Sequence, residues 1–199
     1  MENYRVYNRL YGKMEEGIKR EIEASIEVKK RLSARDIAAA AELVADALKA
    51  GKKILLCGNG GSAADCQHIA GELVGRFKLE RDALPAIALS TDTSILTALT
   101  NDYGGDIIFS RQVEALGGRG DVLIAISTSG TSPNILKAVD AARRKKMKVV
   151  SLTGSRGVEL KKRSDVCIMV DSDETPRIQE SHIMAAHIIC GIVESSLFG

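Results

Sequence analysis

The sequence has no tryptophan, and only 4% of its 199 residues are aromatic. That leaves little to stack on nucleobases, and a formal net charge of +2 leaves no footprint for a polyanion. No nucleic-acid partner is expected. The basic cluster RRKKMK (143–148) closes a helix-like run, where cations suit the helix dipole, and reads as a solvated end. The opening stretch MENYRVYNRLYGKMEEGIKREIE holds no apolar leader core, and no stretch approaches a membrane span, so no membrane partner is expected either. Cys57, Cys66, Cys167 and Cys190 lie far apart without a CxxC pair, and three sit in apolar runs. Such usage predicts reduced core thiols and a cytoplasmic location, not a disulfide framework. Histidine is scarcer still, with three residues confined to two segments.

What is present is ordinary for a globular chain: 45% hydrophobic and 27% charged residues, enough for one domain over 1–199. Residues 1–50 read as helices, with apolar positions at helical spacing and Gly51 as a stop. From residue 51 to 199, short apolar runs alternate with helical stretches. The strand candidates are KILLCG (53–58), PAIALS (85–90), DVLIAIS (121–127), KVVSLT (148–153) and DVCIMV (165–170). Their near-continuous apolarity suits parallel strands buried on both faces. Helical runs lie near 62–78, 93–116, 132–146 and 157–163, and a long final helix runs from Pro176 to about Leu197. This rhythm predicts a three-layer αβα sandwich, α/β in class, around a five-stranded parallel sheet, preceded by an N-terminal helical hairpin.

Ligands of such sheets bind beyond the carboxyl ends of the strands. Two loops there carry suitable groups. GNGGSAA follows the first strand and fits a dinucleotide fingerprint only weakly, without a clearly placed acidic residue after the second strand, so no nucleotide cofactor is expected. STSGTSPN (127–134) follows the third, with four hydroxyls around Gly130 and with Ser132 and Pro133 placed to open a helix. Hydroxyls and backbone N–H groups converging on a helix N-terminus suit a phosphate dianion, although the same residues also make a plain capping turn. His68 and Glu72 stand four residues apart on one helix face, and the last helix places Gln179, His182 and His187 in an apolar run.

CGNGGSA, QHIAGELVGRF, LPAIALS, ALTNDYG, DVLIAISTSGTS and RIQESHI…H resemble the sugar isomerase (SIS) domain family over essentially the whole chain, and within it the phosphoheptose isomerase branch. That resemblance implies interconversion of sedoheptulose 7-phosphate and D-glycero-D-manno-heptose 7-phosphate, for ADP-heptose and lipopolysaccharide core synthesis. It implies Ser127, Thr128, Ser129 and Ser132 on the phosphate, and Asn59, Gly60, Gly61, Asn101 and Asp102 along the sugar, with Gln179 and Glu72 also in contact. Glu72 would be the catalytic base and His187 its acid/base partner, and His68, Glu72, Gln179 and His187 would hold one zinc ion per subunit. The branch further implies a homotetramer with active sites between subunits. Arg76, one turn beyond Glu72, is either an electrostatic support or simply exposed. The family also contains a non-catalytic adaptor that binds the replication initiator DnaA; the presence of both Glu72 and His187 favours the enzyme.

Overall fold

Each strand that the apolar runs predict is found, and each is parallel to its neighbours. The computed structural model describes residues 2–199, with side chains from residue 12 onward. Helices α1 (Glu2–Lys30) and α2 (Ala34–Lys49) precede β1 (Ile54–Gly58), α3 (Gly61–Val74), β2 (Ala86–Ala88) and α4 (Thr93–Tyr103). Then come α5 (Ser110–Leu116), β3 (Val122–Ser127), α6 (Pro133–Arg144), β4 (Lys148–Gly154), α7 (Val158–Lys162), β5 (Val166–Val170) and α8 (Thr175–Phe198). The helix expected over 93–116 is in fact two. At Gly104 φ is +86°, a conformation glycine alone adopts cheaply, and a short 3₁₀ turn at Gly105–Ile107 redirects the chain.

The five strands lie in the order β2-β1-β3-β4-β5. Alternate residues serve opposite faces. Ile54, Leu56, Val122, Ile124 and Val150 pack with α2, α3 and α8, while Leu55, Cys57, Leu123, Ala125 and Val149 pack with α5 and α6. The order turns around between β1 and β3, so the loops leaving these two strands diverge and open a crevice at the carboxyl edge.

The helices outside the sheet are not all covered to the same extent. α8 is long and apolar enough, by length and composition, to cross a membrane, contrary to the expectation that no stretch approaches a span. It is instead a core helix, with Arg177, His182 and Glu194 buried among its apolar residues and with α2 and α3 against it. On α2, Ile37, Val44 and Leu48 are buried and Leu43 packs partly against the same core. α1 differs: Met14, Ile18, Ile22 and Ile26, four residues apart along one side, remain exposed, as do Ile188 and Ile192 of α8.

Candidate active site

The crevice is lined as the two loops suggest. Asn59, after β1, and Asn134, in the first turn of α6, exchange reciprocal amide hydrogen bonds of 2.9 Å that tie the loops together. Gly61 lies directly against the side-chain amide of Gln179, from the first turns of α8, which would have to swing aside to admit a Cβ there. In the serine loop, Ser127 Oγ lies 3.2 Å from Ser132 Oγ and 3.5 Å from Ser129 Oγ, and it accepts the Gly130 N–H at 3.1 Å. Gly130 has φ +66° and presses on Gly157, so the loop stays tight. Ser132 occupies the N-cap of α6, yet its side chain makes no capping bond; the hydroxyl turns towards Ser127. Thr128 and Ser129 border a small cavity of about 150 Å³ together with Arg156, Ser172 and Asp173. Asn101 and Asp102 stand exposed near the end of α4, where Asn101 donates to Asp102 at 2.8 Å.

The imidazoles and the carboxylate lie elsewhere. α3 and α8 leave the crevice side by side, Gly61 against Gln179 at the top and His68 against His187 below. Seven residues of α3 separate Gly61 from His68, about 10 Å of rise, and eight of α8 separate Gln179 from His187, about 12 Å. Within one chain the site is therefore in two parts. In the lower part His68 Nε2 is 2.8 Å from His187 Nε2 and 3.1 Å from Glu72 Oε1. The three donor atoms lie within 4.8 Å of one another, on residues that are at least partly exposed. Two imidazole nitrogens so close must share a proton or a cation, and two histidines with a carboxylate form a donor set that suits zinc. These three residues fit the metal, whereas Gln179 of the same chain sits with the glycine loop.

Other polar groups explain themselves. Arg76 is exposed and pairs with Glu80 at 3.5 Å. Burial pushes the Cys57 and Cys190 thiols up to about 12, so neither supplies a thiolate. His182 is fully buried, on a different side of α8 from His187. Two residues that organise the site, Arg81 and Glu194, belong to no motif of the sequence, and Asn134, the last residue of STSGTSPN, had no role assigned. Of the two, only Glu194 left a signal, as the one acid in the apolar stretch IICGIVESS. Arg81, with its side chain 1% exposed, pairs with Glu194 at 3.1 Å directly beneath the histidine cluster.

A family model described as the SIS domain matches residues 19–154. A phosphoheptose isomerase from Roseiflexus sp. (strain RS-1) is 56% identical over 181 residues, covering 89% of this chain and 92% of the relative. The solved phosphoheptose isomerase GmhA from Neisseria gonorrhoeae superposes with a TM-score of 0.86 at 44% identity, over 92% of this chain and 99% of that one. A second, from Francisella tularensis, gives 0.85 at 41% identity, over 92% and 97%.

Proposed function

The chain belongs to the SIS domain family and is an isomerase acting on a sugar phosphate, and we propose that it interconverts sedoheptulose 7-phosphate and D-glycero-D-manno-heptose 7-phosphate. The observation that carries this reading is the His68–Glu72–His187 cluster, three donor atoms within 4.8 Å on the helices that leave the crevice with its serine and glycine loops. Aldose–ketose exchange moves one proton between C1 and C2 through an enediol and another between their oxygens. The Glu72 carboxylate takes the carbon-bound proton, and the His187 imidazole serves the oxygens. Ser127, Thr128, Ser129 and Ser132 bind the phosphate, whose binding energy holds the reacting carbons against the base. Asn59, Gly60 and Gly61 flank the sugar, with Asn101, Asp102 and Gln179 reading its hydroxyls.

Zinc held by His68, Glu72 and His187, with Gln179 reaching in from a neighbouring subunit, would polarise the sugar oxygens in place of the His187 proton, since a ring nitrogen bound to the metal cannot also donate one. The roughly 10–12 Å of helix between the crevice and the cluster supports a site completed across subunits, with the crevice of one chain facing the cluster of another. Exposed Met14, Ile18, Ile22 and Ile26, with Ile188 and Ile192, supply the apolar surface for a homotetramer of single-domain subunits. We place this enzyme in the cytoplasm, feeding ADP-heptose for the lipopolysaccharide core.

Incubation with sedoheptulose 7-phosphate in D₂O tests the reading: the isomer should form, and deuterium should enter the sugar at the exchanging carbon. Binding of DnaA with no turnover of any heptose phosphate would instead support the adaptor. Sedimentation tests the assembly, and a fully active monomer at micromolar concentration would refute it.

A further inference from the structure

Glu194 lies seven residues, about two turns, beyond His187 on α8 and is only 2% exposed. Its Oε1 accepts the backbone N–H groups of Lys78 and Leu79, both at 2.7 Å, and its Oε2 accepts that of Phe77 at 3.0 Å. Arg81 donates Nε to the same Oε2 at 3.1 Å. The rest of the guanidinium caps the end of α3: Nη2 donates to the Glu72 carbonyl at 2.8 Å, and Nη1 to the carbonyls of Leu73, Gly75 and Asp82 at 2.8, 3.1 and 2.9 Å. Helix-end carbonyls have no helical N–H left to meet, so one buried arginine satisfies several of them at once. Burial alone would raise the Glu194 carboxyl, but the three N–H groups and Arg81 outweigh it and hold the group at about 2. Phe77, whose N–H is held in this way, stacks on the His187 ring with centroids 5.8 Å apart and planes at 24°.

A buried ion pair is weak evidence for stability. This one, however, grips both helices of the cluster: the end of the helix bearing Glu72 from one side, and the loop whose ring lies on His187 from the other. We infer that Arg81 and Glu194 are positioning residues for the isomerisation, setting the spacing of Glu72 and, through Phe77, the orientation of His187. The inference rests on the reading of Glu72 and His187 as the acid–base pair. Misplacement by an ångström suffices to slow a positioned reaction by about 100-fold.

The test uses Arg81→Lys and Glu194→Gln, each alone and combined with Glu72→Gln, and Phe77→Leu, alone and combined with His187→Gln, with kcat, KM, sugar-phosphate binding and Tm measured on the full-length enzyme. Arg81→Lys and Glu194→Gln should lower kcat by about 10–100-fold with KM within about threefold. Phe77→Leu leaves the backbone bonds to Glu194 in place and should lower kcat by about 5–10-fold with Tm held. On the Glu72→Gln background Arg81→Lys and Glu194→Gln, and on the His187→Gln background Phe77→Leu, should each cost less than about threefold more, because the residue acted through is already disabled. Wild-type kcat in the folded variants, or the full loss repeated on those backgrounds, would overturn the inference. If Arg81→Lys and Glu194→Gln do not fold, Phe77→Leu decides alone. Full activity in the Glu72→Gln single variant refutes the acid–base reading itself, and the inference with it, whatever the other variants do.

Discussion

The serine loop after β3 and the Arg81 loop after α3 both hold polar groups in place, and they do so in opposite ways. In the serine loop, hydroxyls meet one another at 3.2–3.5 Å near the surface, and each can rotate towards an arriving phosphate. In the Arg81 loop, a charged pair is sealed from water and every bond runs to backbone or to the opposite charge, at 2.7–3.1 Å. The first arrangement suits binding, since its groups exchange partners at little cost. The second suits alignment, since leaving any of its buried groups unpaired costs about 1–3 kcal/mol or more. Their sequence footprints differ as well. The serine loop is one contiguous motif, whereas Arg81 and Glu194 are 113 residues apart.

The contrast can be broken most forcefully at the cluster between the two regions. Glu72→Gln should lower kcat by about 10²–10⁴-fold while sugar-phosphate binding largely persists. Turnover within about threefold of wild type would rule Glu72 out as the base.

Buried polarity without alignment is tested by His182. Neither ring nitrogen makes a well-formed hydrogen bond among the described residues; burial pushes the imidazole down to about 4, only partly opposed by the nearby Thr153 backbone. The unfolded chain therefore binds a proton that the folded one refuses. The stability in question is present above about pH 6.5 and is lost as pH falls from there towards 4, by roughly 2–3 kcal/mol. His182→Leu should flatten that slope in urea titrations at pH 7 and 4.5. An unchanged slope would mean that the acid sensitivity lies elsewhere.

The soft end of the comparison predicts smaller losses. Ser127→Ala or Ser132→Ala should weaken sugar-phosphate binding, measured by calorimetry, by roughly 1–3 kcal/mol, with rates at saturation falling less. Unaltered binding in both would reduce the loop to the start of a helix. Smallest is Asn134→Ala, which frees Asn59 from its amide pair and should shift binding by about 1 kcal/mol, since the exposed amides find water instead.

Much of this was legible along the chain. Continuous apolar runs marked all five parallel strands, but burial on both faces holds along β1, β3 and nearly all of β4 only; β2 and β5 lie at the sheet edges and stay partly exposed. Glycine and serine clusters marked the crevice loops, and the spacing of His68 and Glu72 put them on one helix face, since turn chemistry and helical periodicity act over a few residues. The tertiary structure alone decided the rest. It split the run 93–116 at Gly104, set Gln179 against Gly61, turned His182 into the core, and brought His187 to within 2.8 Å of His68 across 119 residues. It also joined Arg81 to Glu194. Which faces of two helices meet is settled by packing both against the same sheet, and no local pattern encodes a distance set by side chains so far apart in the chain.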